Sequence, residues 1–398
     1  MSHQIRFILP GQKNDGDSEK LPLRLVHTYK RISLNMDIKT YLEIMVQKQA
    51  SDLYFTTGAP VNLKIEGVTS AIGKTAFPPG QVKILAYSIL SDKQKQKFED
   101  NLELDMAYTV EGIGRFRVNL FMQRGEVSMV VRYIKWEIPG FEELGLPKKL
   151  SNLAMEKRGL IIVCGASGSG KSTTLASMLD YRNSNTTGHI LTLEDPIEFV
   201  FKHRQSIVNQ REIGLDTKSY ENGLRHAVRE APDAILIGEV RDQDTMKHAI
   251  SYADTGHLCL TTLHATNAEQ ALQRVVNFFP EHARAQLYMD LSLSLRAIIA
   301  QRLVVGVDGK LVPTFEILFN TSGIRTAIRD GEINTIKEQL SKGISSELLS
   351  FENDLIRLHN QGKISQEQAI ANADLPGNVK LAIKLGGKGI SSSTDDIY

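Results

Sequence analysis

Residues 165–172 read Gly165-Ala166-Ser167-Gly168-Ser169-Gly170-Lys171-Ser172, the pattern G-x-x-x-x-G-K-S without a mismatch. An apolar run, Leu160-Ile161-Ile162-Val163-Cys164, precedes it, and a helix-prone run, Ser172 to Leu179, follows. A buried strand, a glycine-rich loop and a helix in that order are the context a phosphate-binding loop requires. Glycines let the backbone approach an anion closely. The turned loop presents N–H groups inward, backed by the helix N-terminus. Lys171 supplies a point charge for the outer phosphates, and the Ser172 hydroxyl can coordinate Mg²⁺. With Thr173 beside them, residues 165–173 form the nucleotide-binding set. A glycine- and serine-rich turn with no ligand is the competing reading, and the Lys-Ser pair between strand and helix argues against it. The implied ligand is ATP with Mg²⁺, and the implied reaction is phosphoryl transfer to water.

Composition narrows the rest. At 398 residues, two to three domains are expected. A hydrophobic content of 41% and a charged content of 23% describe an ordinary globular chain. A net charge of +1 gives no bulk attraction to nucleic acid or acidic lipid. No apolar run approaches the ~20 residues of a membrane-spanning helix, and the N-terminus lacks a signal-peptide layout. A cytoplasmic protein, docked peripherally on a membrane protein, is the expectation. The 2 cysteines, Cys164 and Cys259, each sit in an apolar run and read as buried free thiols. No C-x-x-C pair exists for a cysteine zinc site.

The chain divides by pattern. Residues 1–35 form an irregular extension; Met36 to Lys48 has helical apolar spacing with Asp37 as N-cap, and Met36 is also a candidate translation start. A first domain over 36–138 contains strand candidates at 52–56, 61–65, 115–121 and 127–134. In the third, Arg115, Arg117 and Asn119 share one face and Phe116, Val118 and Leu120 the other. Residues 139–149, bracketed by prolines, read as a linker. A core over 150–314 alternates helical stretches with apolar strands at 160–164, 189–193, 234–238 and 258–262. That alternation predicts an α/β fold with a parallel sheet covered on both faces. Residues 315–385 read as mainly helical and 386–398 as a disordered tail.

The core strands end in polar groups, and open α/β sheets bind ligands at strand carboxyl ends. One strand delivers the loop, one Glu194, one Glu239 and one His264. Hydrolysis of a Mg-bound triphosphate needs a metal-site carboxylate, a group to orient water and a γ-phosphate contact. Glu239 occupies the Walker-B position and would hold Mg²⁺, directly or through water. Glu194 is the candidate for activating water. His264 is preferred over His257 as a phosphate sensor because it lies at the carboxyl end of its strand. Each of these residues alone has a bland alternative, a solvated turn or a core histidine. The transition state also wants cations, and the first domain offers Arg115, Arg117, Arg124 and Arg132.

These segments resemble the secretion ATPases of type II secretion and type IV pilus systems, over essentially all of 36–385. The resemblance rests on Gly165–Ser172 (Walker A), Glu194-Asp-Pro-Ile-Glu-Phe199 (Asp box), Ile235-Leu-Ile-Gly-Glu-Val-Arg-Asp242 (Walker B) and Thr255–Ala265 (His box). The chain looks like the twitching-motility retraction branch, PilT/PilU. Four stretches look PilU-like: Tyr181–His189, Asn277-Phe-Phe-Pro280, Met289–Leu295 and Ile383-Lys-Leu-Gly-Gly387. The resemblance implies a PAS-like N-terminal domain, a RecA-like ATPase core and a homo-hexameric ring. It implies that Arg117 and Arg132 reach a nucleotide held by another domain. It also implies an inner-membrane pilus platform protein and a companion PilT-type ATPase as partners. Residues 1–35 have no counterpart in it. The four-cysteine zinc motif usual in extension ATPases is missing, which favours retraction.

Three other functions compete. An extension or secretion ATPase shares the fold. A nucleic-acid motor would want a basic stripe or stacking aromatics, and the chain has 1 tryptophan, Trp136. A non-hydrolysing scaffold would lack a catalytic group, whereas Lys171, Glu194, Glu239 and His264 are all present.

Overall fold

The computed structural model describes residues 37–65, 67–134, 136–342, 348–385 and 397–398. The extension 1–35, Met36 and residues 386–396 lie outside them. Chain contacts divide the protein between Tyr133 and Ile134 into two units.

The first unit carries six strands: β1 (Asp52–Phe55), β2 (Val61–Ile65), β3 (Val68–Ile72), β4 (Glu103–Val110), β5 (Gly114–Gln123) and β6 (Glu126–Ile134). Their order is β3-β2-β1-β6-β5-β4. β5 alternates as its sequence predicts: Phe116, Val118 and Leu120 are fully buried, and Arg115, Arg117 and Asn119 face outward and are half-buried. The buried face packs on helix Ile38–Gln47, whose Ile38, Tyr41, Leu42 and Met45 supply the apolar stripe. Asp37 takes the N-cap position in extended geometry, without a side-chain cap bond. β3 and β4 were not anticipated. The outward-facing residues 68–71 of β3 are all exposed, so burial leaves no pattern in them to read.

The second unit is built on an eight-stranded sheet: β7 (Gly159–Cys164), β8 (Gly188–Glu194), β9 (Ser206–Glu212), β10 (Ala234–Ile237), β11 (Leu258–Leu263), β12 (Leu295–Val305), β13 (Leu311–Phe319) and β14 (Leu348–Leu349). The order is β14-β13-β12-β7-β11-β10-β8-β9. β12 through β9 pair in parallel. β13 and β14 add antiparallel at one edge, so the sheet is mixed, not purely parallel. β7 is buried at every position: Leu160, Ile162 and Cys164 join one apolar cluster and Ile161 and Val163 the other. That two-sided burial is why the core strands read as continuous apolar runs.

Three expectations about boundaries change. The division at 314/315 falls inside β13, whose nine-residue register with β12 runs from Leu311 to Phe319. The apolar residues of that strand are committed by pairing, so the helical region starts only after Phe319. Residues 139–149 are not a free linker: Phe141 and Leu144, with Ile138 before them, pack on the core, where Leu146 is buried. At the other end, Ile397 and Tyr398 are packed, not disordered. Ile397 is fully buried, and the Tyr398 hydroxyl donates to Asp354 Oδ1 at 2.8 Å.

Candidate functional site

β7 runs directly into the glycine-rich loop, which opens the 15-residue helix Lys171–Asn185. Gly170 caps that helix with φ 88°, a left-handed conformation that glycine adopts without steric cost. Gly165 is required for another reason. A Cβ there would stand 2.5 Å from the backbone oxygen of Gln301. Lys171 folds back on its own loop: Nζ donates to Gly165 O at 2.9 Å and to Ala166 O at 2.8 Å. Burial lowers its pKa, and the nearby Glu239 carboxylate acts the other way.

Glu194 ends β8 and is 8% exposed. Its Oε1 accepts from Thr192 Oγ1 at 2.6 Å and from Gln210 Nε2 at 3.2 Å. Burial nevertheless dominates and raises its pKa to about 7. A carboxyl group that gains and loses a proton near neutrality suits general-base work. Glu239 follows β10 by two residues. Its Oε1 lies 3.2 Å from His264 Nε2, and its Oε2 is 2.7 Å from Arg241 Nη2. Gly238 is pinned between them, its N–H donating to Leu193 O at 2.8 Å and its oxygen accepting from Thr262 Oγ1 at 2.6 Å.

One cavity of about 510 Å³ is lined by the loop (Ser167, Gly168, Gly170, Lys171, Ser172 and Thr173) together with Glu194, Glu239 and His264. The three strand-end groups selected from sequence thus meet the phosphate loop in one place. His257 lies at the opposite end of β11, where its Nδ1 is 3.2 Å from Thr255 Oγ1. Cys164 and Cys259 are buried free thiols, with pKa values pushed up by burial. Arg117 and Arg132 lie in the first unit on neighbouring strands, β5 and β6. Each is ion-paired within its own sheet, Arg117 Nε to Asp105 Oδ1 at 3.5 Å and Arg132 Nε to Asp52 Oδ1 at 2.7 Å.

Arg241 was missed from sequence. It lines the cavity and adds a second cation to Lys171; its place two residues beyond Glu239 was the available signal. Gln301 was missed as well. It is 3% exposed and accepts from Thr174 Oγ1 at 2.7 Å, bracing the loop's helix from behind. Nothing local marks such a residue, because its role depends on β12 lying beside β7.

The cavity fits a nucleotide with a divalent cation. Lys171, Ser172 and Thr173 line it at the first turn of the helix, and a helix N-terminus is an anion site. Among the described residues no cluster of three or more acidic, histidine or cysteine side chains stands ready for a metal. Mg²⁺ does not need one. It keeps several waters and takes one or two protein oxygens plus phosphate, and Ser172 and Glu239 are the residues that could supply them. Among the described residues no helix is long and apolar enough to cross a membrane.

Comparison with known proteins agrees with this geometry. The family model described as "Type II/IV secretion system protein" matches residues 30–313. The type IV pilus ATPase PilU of Pseudomonas aeruginosa is 46% identical over 354 residues, covering 89% of this chain and 93% of that protein. The type IV pilus retraction ATPase PilT of the same organism is 40% identical over 343 residues, covering 86% of this chain and all (100%) of that one. The crystal structure of the pilus retraction motor PilT with bound ADP matches with a TM-score of 0.81 at 40% identity, over 87% of this chain and 100% of that one. By the extent of the family match and of these relatives, the chain belongs to the type II/IV secretion system protein family.

Proposed function

We propose that this protein is an ATPase motor that hydrolyses ATP to drive retraction of type IV pili. The observation that carries the reading is the single cavity in which the phosphate loop, Glu194, Glu239 and His264 converge. The names of its relatives supply the biological setting: a type IV pilus ATPase, a type IV pilus retraction ATPase and a twitching motility protein.

In this reading residues 165–173 bind the phosphates of ATP. Lys171 leaves its own loop carbonyls for the outer phosphates, an exchange of neutral acceptors for charged ones. Ser172 and Glu239 would hold Mg²⁺, which when bound would supply positive charge against the outer phosphates. Glu194 takes the proton of the attacking water, and its pKa near neutrality matches that task. His264 contacts the γ-phosphate, and Arg241 contributes positive charge in cis.

The assembly is a homo-hexameric ring with a PAS-like N-terminal domain and a RecA-like core. Arg117 and Arg132 of one copy reach the nucleotide of its neighbour. Arg132 suits this, since its side chain is 65% exposed although ion-paired. The motor acts from the cytoplasm, docked peripherally on an inner-membrane platform protein and alongside a PilT-type ATPase. Imaging surface pili in a deletion strain and in a Glu194→Gln strain tests the function. Abundant pili that fail to retract in both strains are expected. Absent pili would move the protein to filament extension.

A further inference from the structure

Successive side chains of β12 point to opposite faces of the core sheet, and two of them support the nucleotide site. Gln301 braces the loop's helix through Thr174 on one face. Arg302 works on the other. Its Nη2 donates to Thr266 O at 3.3 Å, two residues past His264. The same nitrogen pairs with Asp374 Oδ1 at 2.6 Å, and Nη1 donates to Asn372 O at 2.8 Å. The guanidinium lies over the Phe351 ring, with Cζ 3.8 Å from its centroid.

These partners belong to different parts of the unit. Asn372 and Asp374 lie between helices Gln366–Ala371 and Pro376–Lys384, and Phe351 opens helix Phe351–Asn360. Thr266 belongs to the short segment that carries His264 from β11 toward helix Ala268–Asn277. That segment is held at its far end too: Ala268 N–H donates to Glu316 Oε1 at 2.8 Å, and Cys164 Sγ contacts Asn267 O at 3.7 Å. One planar guanidinium thus joins the His264 segment to three C-terminal helices. Its donors sit in a fixed fork, so it cannot follow one partner without straining the others.

We propose that Arg302 is a positioning residue for hydrolysis, coupling the placement of His264 at Glu239 to the arrangement of the three C-terminal helices. The inference rests on the reading of His264 as the γ-phosphate contact. Coupling of this kind is reciprocal: a nucleotide state that shifts the His264 segment alters the hold on Asp374, and a displacement of the C-terminal helices alters the His264 segment. Asp374 does not line the cavity, so any effect it has on turnover travels through Arg302.

The test uses the full chain. ATP turnover is measured for Arg302→Gln, Arg302→Lys and Asp374→Asn, and hydrogen exchange over 366–385 is compared with ADP and with a non-hydrolysable ATP analogue. For Arg302→Gln a drop in kcat of about tenfold is expected, with KM within about twofold. Arg302→Lys recovers part of it, and Asp374→Asn lowers kcat severalfold. In the wild type, exchange over 366–385 differs between the two nucleotides, and Arg302→Gln removes the difference. Unchanged kcat in both Arg302→Gln and Asp374→Asn overturns the proposal, as does identical exchange with both nucleotides in the wild type. If Arg302→Gln fails to fold, Asp374→Asn decides. His264→Ala serves as the control: undiminished turnover there would overturn the sensor reading itself, a result distinguishable from loss of coupling alone.

Discussion

The Nε2 of His264 lies 3.2 Å from Oε1 of Glu239, while the other oxygen of the same carboxylate meets Arg241 at 2.7 Å. The ends of β10 and β11 are joined by this contact, and both carboxylate oxygens are engaged by neighbouring side chains. Glu239, His264 and Arg241 thus form one contacting group in the wall of the cavity.

Glu239→Gln keeps the shape of the side chain and removes its charge. The Mg²⁺ concentration needed for half-maximal turnover should rise on the order of tenfold or more. Nucleotide binding measured without Mg²⁺ should change little. An unaltered Mg²⁺ requirement would take Glu239 out of the metal site.

Glu194→Gln should reduce kcat by about 10²-fold or more and should also stabilise the protein at high pH. The sign follows from the raised pKa. The folded state holds the Glu194 proton up to about pH 7, whereas an ordinary glutamate releases it near 4.5, so stability falls as pH rises between those values and is constant above them. Removing the ionisable group relieves a penalty on the order of 3 kcal/mol at pH 8. Thermal unfolding at pH 5 and pH 8 reads it: the variant should gain on the wild type only at the higher pH, and equal unfolding temperatures at pH 8 would contradict the burial argument.

Lys171→Ala removes the cation that donates to the loop carbonyls of Gly165 and Ala166 and that is proposed to meet the phosphates. Two charge-assisted contacts together contribute about 3 kcal/mol, so ATP affinity should fall on the order of 10²-fold. Calorimetric titration checks it. An affinity within a fewfold of the wild type would remove the loop as the nucleotide site.

Gly165→Ala places a methyl group 2.5 Å from the Gln301 backbone oxygen. Backbone cannot yield as a flexible side chain does, so the loop must shift outward. Nucleotide affinity should drop while the first unit's unfolding is untouched. Gly168→Ala is the contrast: nothing lies within 4 Å of a Cβ there, and only the φ of 78° is unfavourable, so a smaller loss is expected.

Arg132→Ala should cut turnover more than ATP affinity. Mixed with Glu194→Gln, it should recover part of the activity, because each variant supplies what the other lacks at a shared site. Mixed rings, verified by mass, without any recovery would argue against arginines that act between copies. The substitution also removes the cation paired with Asp52, whose side chain is 4% exposed and keeps Ser51 Oγ on its other oxygen; a loss of about 1 kcal/mol in first-unit stability is the accompanying cost.

Much of this protein was legible in its sequence because the signals are local. The loop's chemistry is contained in eight consecutive residues, and β7, β8, β10 and β11 announce themselves because burial on both faces makes them mostly apolar, with threonines such as Thr192, Thr261 and Thr262 as the buried polar exceptions. Strand-end residues Glu194, Glu239 and His264 follow from those strands, since parallel pairing puts their carboxyl ends on one side. Other features depend on partners far along the chain. β13 reads as an ordinary apolar stretch until β12 pairs with it, and β9 exposes Ile207, which blurs its pattern. Gln301 and Arg302 are adjacent in sequence, yet one braces the phosphate loop and the other grips Thr266 and Asp374. Strand alternation sends them to opposite faces, and the place of β12 in the sheet decides what each one meets. The pKa of Glu194 is likewise a tertiary property: the residue type supplies the carboxyl group, and burial in the folded core moves its titration to neutrality. The residues by themselves determined the glycine-rich loop and the existence of β7, β8, β10 and β11, because those need only neighbours in the chain. The tertiary structure decided which charges meet, because that is set by where distant strands lie side by side.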